Sequence, residues 1–77
     1  MSILDKNIDK LKQEYNALLT RYNNGIKYIK IHPKELKKWE KELLKIMMNL
    51  DIKIHEIKFY CNYEMNEKEI LNGFENK

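Results

Sequence analysis

One cysteine, one proline, one arginine, one alanine and two glycines stand among 77 residues, and most of these scarcities close off a class of protein. A lone Cys61 cannot form an intramolecular disulfide, so a disulfide-stapled secreted scaffold is excluded. No apolar run reaches the about 18 residues that a membrane helix needs, and no apolar stretch behind a basic start resembles a secretory signal. The expectation is a cytoplasmic chain without membrane contact. With two glycines there is no glycine-rich loop to cradle a phosphate. A single Arg, Arg21, leaves little for the bidentate recognition of phosphates and base edges that the guanidinium group favours.

What the sequence has in quantity is charge and regularly spaced apolar residues. The net charge is only +3, but it is unevenly spread. Residues 1 to 20 balance. Residues 21 to 45 carry eight bases against three acids, and residues 46 to 77 carry four bases against six acids. One basic segment therefore lies mid-chain, next to an acidic C-terminal one.

From Leu4 the apolar residues recur in steps of four and three through Ile8, Leu11, Tyr15, Leu18 and Tyr22, then Gly25 and Ile29. This is a heptad seam on a helix over about residues 3–31. Asn23, Asn24 and Gly25 offer a place to stop, which would leave an extended basic segment after them. Pro33 suits the first turn of a new helix and forces His32 out of helical geometry, so residues 31–33 form a turn. A second seam follows over about 33–61: Leu36, Glu40, Leu43, Met47, Leu50, Ile54, Ile57 and Cys61.

The two seams are close to mirror images. Folded against each other so that facing residue numbers sum to 65, they give seven apolar layers, including Leu18 on Met47, Leu11 on Ile54 and Leu4 on Cys61. The eighth sets Gly25 against Glu40, where the missing side chain leaves room for the indole of Trp39. Flanking positions pair Asp5 with Lys58, Lys12 with Asp51 and Glu14 with Lys53, and place Tyr28 opposite Trp39. The match favours a first helix unbroken at Gly25. The expected fold is all-α: an antiparallel two-helix coiled-coil hairpin (1–63) followed by a short C-terminal helix or tail (64–77). In the tail, Asn66 and Glu69 have capping-box spacing and Gly73 is placed to end the helix. So small a chain buries only roughly 60% of its unfolded surface, which makes a partner subunit a reasonable expectation.

Two surfaces are candidates for function. The second helix carries a further apolar stripe of Leu44, Met48, Ile52, His55, Phe59 and Tyr63 that the hairpin does not use. Either Ile70, Leu71 and Phe74 fold back over it, or a second hairpin docks to make a four-helix bundle homodimer, or it receives another protein. At the turn, Lys27, Lys30, Lys34, Lys37, Lys38 and Lys41 gather beside Tyr28, His32 and Trp39, a pattern suited to a nucleic-acid backbone or an acidic partner. Its basic sign differs from the acidic tips of the hairpin factors that reach into RNA polymerase. In outline the chain is similar to small two-helix regulators that inhibit a bacterial kinase or phosphatase, without their motifs.

No catalytic, cofactor or metal constellation is expected. His32, His55 and Cys61 are spread along the hairpin, so no nucleophile, base and orienting group converge. The expected function is that of a non-enzymatic helical interaction module. Its size suggests a phage- or mobile-element-type regulator or inhibitor, acting on a host protein or on a ribonucleoprotein such as a CRISPR effector. An RNA- or DNA-binding protein using the basic end is the alternative, and a small structural subunit of a larger assembly is a second.

Overall fold

The computed structural model describes residues 8–75. Among these the chain is all-helical, with two long helices packed against each other. Helix α1 spans Ile8–Ile31, a 3-10 turn spans Pro33–Glu35, α2 spans Leu36–Cys61 and a short α3 spans Glu67–Asn72. The expected Asp5–Lys58 pair and the Leu4–Cys61 layer involve residues outside the described ones.

Helix α1 runs through Asn23, Asn24 and Gly25 without a break. Its end is set by Pro33, which occupies the first turn of the 3-10 segment while His32 takes the non-helical angles φ −124 and ψ 70. The change of direction is held by main-chain bonds, His32 N–H to the Tyr28 carbonyl (2.8 Å) and Glu35 N–H to the His32 carbonyl (2.9 Å). Asn62 closes α2 in the left-handed conformation, φ 49 and ψ 44. Asn is one of the few side chains that enter this region at low cost.

Contacts between the long helices run in opposite order along the chain. Tyr28 lies on Trp39 with ring centroids 5.6 Å apart, and the Lys53 ammonium reaches the Glu14 carboxylate at 3.0 Å. Both are pairs expected from the sequence. Gly25 meets its expectation in part. A Cβ there would lie 3.8 Å from the Trp39 ring, as expected, but only 2.9 Å from Leu43 Cδ2, so Leu43 is the closer neighbour. Lys12 departs from expectation, because its ammonium sits over the rings of Tyr63 (4.8 Å) and Phe74 (5.1 Å) and not beside Asp51.

The buried apolar residues are Leu11, Tyr15, Leu19, Leu43, Ile46, Leu50, Ile57 and Phe74. Three expected seam positions are displaced: Leu19 is buried more deeply than Leu18, Ile46 takes the place of Met47, and Leu36 at the start of the second seam is 48% exposed. On the α1 side the cause is α3 and the residues after it. Gly73 and Phe74 pack on the Tyr15–Asn16–Leu19 side of α1, so a third element covers Leu19.

The molecule is elongated, with extents of 49 × 25 × 17 Å and a radius of gyration of 14.2 Å. A compact chain of this length would have a radius of gyration of about 11.5 Å. Surface is therefore large relative to core.

Candidate interaction surfaces

The outer stripe of α2 is open. Leu44, Met48, Ile52 and Phe59 are 59%, 60%, 55% and 74% exposed, and His55 between them is exposed too. At 100° per residue all five lie within about 40° of the Met48 direction, and the buried Ile46, Leu50 and Ile57 lie about 160 to 180° away. The stripe thus faces directly away from α1. Lys37 and Lys41 continue the same line toward the N-terminal end of α2, and both are exposed.

The C-terminal tail does not cover the stripe, contrary to one expectation. The left-handed turn at Asn62 sends the chain back across α1, where it is captured. Asn16 reads the main chain of Phe74 with both ends of its amide: Oδ1 accepts from Phe74 N–H at 2.7 Å and Nδ2 donates to the Phe74 carbonyl at 2.9 Å. The Tyr15 hydroxyl donates to the Ile70 carbonyl at 2.6 Å. The Phe74 ring packs against Tyr15 and Tyr63, both at 5.9 Å between centroids. Burial raises the Tyr15 pKa above its ordinary value.

Helix α3 carries the capping box that the spacing predicts. The Asn66 side chain accepts from Glu69 N–H at 2.8 Å and the Glu69 carboxylate accepts from Asn66 N–H at 3.1 Å. Gly73, at φ 83, ends the helix. Six residues are too few to hold a helix alone, so the docked Phe74 and the hydroxyl bonds of Tyr15 to Ile70 and of Tyr63 to Glu69 keep α3 in place.

Tyr63, expected as the last member of the stripe, follows the turn and is half-buried. Its hydroxyl donates to the Glu69 carboxylate at 2.6 Å, and that bond raises its pKa. One edge of Tyr63 still borders an open groove of about 760 Å³ at the C-terminal end of the stripe, lined by Ile52, His55, Phe59 and Tyr60 and by the charged Asp51, Glu56, Lys58 and Glu64. A smaller apolar groove of about 500 Å³ lies between α3 and the long helices, lined in part by Tyr22, Met47, Ile54 and Leu71.

At the other end of the molecule Lys27, Lys30, Lys34, Lys37, Lys38 and Lys41 are all exposed. The Tyr28 ring is tilted against His32 at 4.6 Å and against Trp39 at 5.6 Å. The basic residues and the aromatics therefore share one region, as their sequence positions suggest. Sequence reasoning missed Asn16 altogether. Its only signal was a polar residue beside the α1 seam, which looks like any solvated position.

His32 lies at the turn, His55 on the outer stripe of α2 and Cys61, half-buried, at the far end of α2. Among the described residues no three of His, Cys, Asp and Glu are grouped to hold a metal ion, and no helix is long and apolar enough to cross a membrane. Comparisons with protein-family models, with curated proteins and with solved structures find no match to this chain.

Proposed function

We propose that this chain is a non-enzymatic protein-interaction module, an antiparallel helical hairpin that presents the outer stripe of α2 to a protein partner and acts as a small regulator or inhibitor. The observation that carries this reading is the exposure of Leu44, Met48, Ile52 and Phe59 on one line, with the tail bound elsewhere. Apolar patches of this kind on a small chain mark binding surfaces, because each large side chain left in water forgoes about 1.5 to 3 kcal/mol of burial. Met48 can adapt to an irregular surface, and Phe59 offers an aromatic anchor.

The test is affinity capture with the wild type and with Phe59→Asp, each retained protein then being assayed in purified form for direct binding. Phe59 is 74% exposed, so the substitution should leave helicity intact. Loss of binding with unchanged circular dichroism supports the stripe. Equal binding by both proteins refutes it.

One observation favours a second reading, contact with nucleic acid through the turn. Tyr28, His32 and Trp39 form an aromatic cluster among six exposed lysines. Lysine contacts to phosphates release counterions, so affinity for generic oligonucleotides should fall steeply with salt and be abolished by Lys34→Glu with Lys37→Glu. Absence of binding at low salt rules this reading out.

A further inference from the structure

Building on the reading of the α2 stripe as a protein-binding face, we propose that its occupant is a second copy of this chain. The two α2 helices lie antiparallel, related by a twofold axis that passes near Asp51 and Ile52.

The first support is that the two halves of the stripe complement each other. The N-terminal half presents Leu44 and Met48 beside the exposed Lys41 and Lys45. The C-terminal half is the groove bordered by Ile52, His55 and Phe59, where the carboxylates of Asp51, Glu56 and Glu64 stand against the ammonium groups of Lys58 and of Lys53, which pairs with Glu56 at 3.2 Å, leaving a net of one negative charge. A twofold axis sets each half against the other, twice over. An apolar and basic segment then enters an apolar and acidic groove at both ends of the contact.

The spacing agrees with this symmetry. Leu44 and Met48 are four residues apart, as are His55 and Phe59. In the antiparallel arrangement Leu44 meets Phe59 of the second copy, Met48 meets His55 of the second copy, and Ile52 falls at the axis. Lys45 and Glu56 lie on the same flank of the stripe by the 100° step, so Lys45 comes beside Glu56 of the second copy.

The third support is area. The chain exposes 6449 Å², whereas a compact monomer of 9.5 kDa exposes about 5000 Å². The excess of roughly 1400 Å² is more than the about 800 Å² per partner that a standard interface buries. A second copy laid along the outer face of α2, Leu36–Cys61, would cover part of that excess.

The test is sedimentation equilibrium of the full chain, with cysteine cross-linking in a Cys61→Ser background. The wild type should sediment at twice its 9.5 kDa mass, and Phe59→Asp as a monomer of unchanged helicity. Ile52→Cys should cross-link to itself under oxidation, and Leu44→Cys only when mixed with Phe59→Cys, because a disulfide needs Cα atoms within about 7 Å. A wild type that stays monomeric at the highest attainable concentration overturns the self-pairing. If Phe59→Asp then still abolishes binding of another protein, the stripe reading survives without it. A dimer indifferent to Phe59→Asp overturns the self-pairing through this face. Self-cross-linking of Leu44→Cys overturns the antiparallel register.

Discussion

Replacing Asn16 by Ala should release the C-terminal tail while leaving the packing of the long helices intact. The amide makes two bonds to the main chain of Phe74, at 2.7 and 2.9 Å. Each such bond contributes about 1 kcal/mol net, so Asn16→Ala removes about 2 kcal/mol from docking. If the Phe74 N–H and carbonyl stayed buried without partners the cost would be larger, about 1 to 3 kcal/mol for each group, and the tail avoids that cost by opening to water. Two kcal/mol corresponds to a roughly 30-fold shift of a local opening equilibrium. Native-state hydrogen exchange reads this directly. The amides of Gly73 and Phe74 should exchange roughly 30-fold faster, with Leu43 and Leu50 in α2 unchanged. Asn16→Asp keeps the acceptor for Phe74 N–H but turns a carboxylate oxygen toward the Phe74 carbonyl, so it should be no milder. Uniform acceleration along the whole chain would refute the reasoning, since it would make tail docking part of one global unfolding unit. No acceleration at Phe74 would refute the clamp itself.

Gly73→Ala should open the same tail, because φ 83 is strained for a side chain and the new Cβ would lie 2.6 Å from Asn16 Oδ1; a loss of about 1 to 3 kcal/mol of local stability by hydrogen exchange is expected. Gly25→Ala gains helix propensity of about 1 kcal/mol but presses on Leu43 Cδ2 at 2.9 Å, so urea unfolding should show a change within about 1 kcal/mol, whereas Gly25→Leu should cost clearly more. Stability should fall as the solution becomes strongly alkaline. Burial raises the Tyr15 pKa and the bond to Glu69 raises that of Tyr63, both from 10.0. For Lys53, desolvation lowers the pKa, but the hydrogen bonds and charges of Glu14 and Glu56 outweigh it and the net shift is upward from 10.5. All three protonated forms are favoured by the fold, so their contribution is complete below the unfolded pKa values and is lost as pH rises through the folded ones. Titration followed by tyrosinate absorbance and circular dichroism checks this, and Tyr63→Phe should reduce the slope. At neutral pH Lys53→Met should cost about 1 to 2 kcal/mol, because it removes two ion pairs, to Glu14 at 3.0 Å and to Glu56 at 3.2 Å, each partly screened by water.

The sequence by itself determined what depends on neighbours along the chain. Heptad spacing made two long helices from residues whose apolar side chains fall on one face. Pro33, lacking an N–H, ended the first helix at a definite place, and the Asn66 and Glu69 spacing with Gly73 set the limits of α3. The pairs Glu14 with Lys53 and Tyr28 with Trp39 were legible because opposed seams of equal period leave few registers. The tertiary structure decided what depends on a third element arriving from a distance. Leu18 and Leu19 are adjacent and equally apolar, and only the docking of Gly73 and Phe74 settles which is covered more deeply. The same event takes Tyr63 partly off the stripe, gives Asn16 its role and leaves the outer face of α2 open. Periodicity marks a second apolar face but carries no information about what covers it, because burial is a property of the assembled surfaces and not of any one helix.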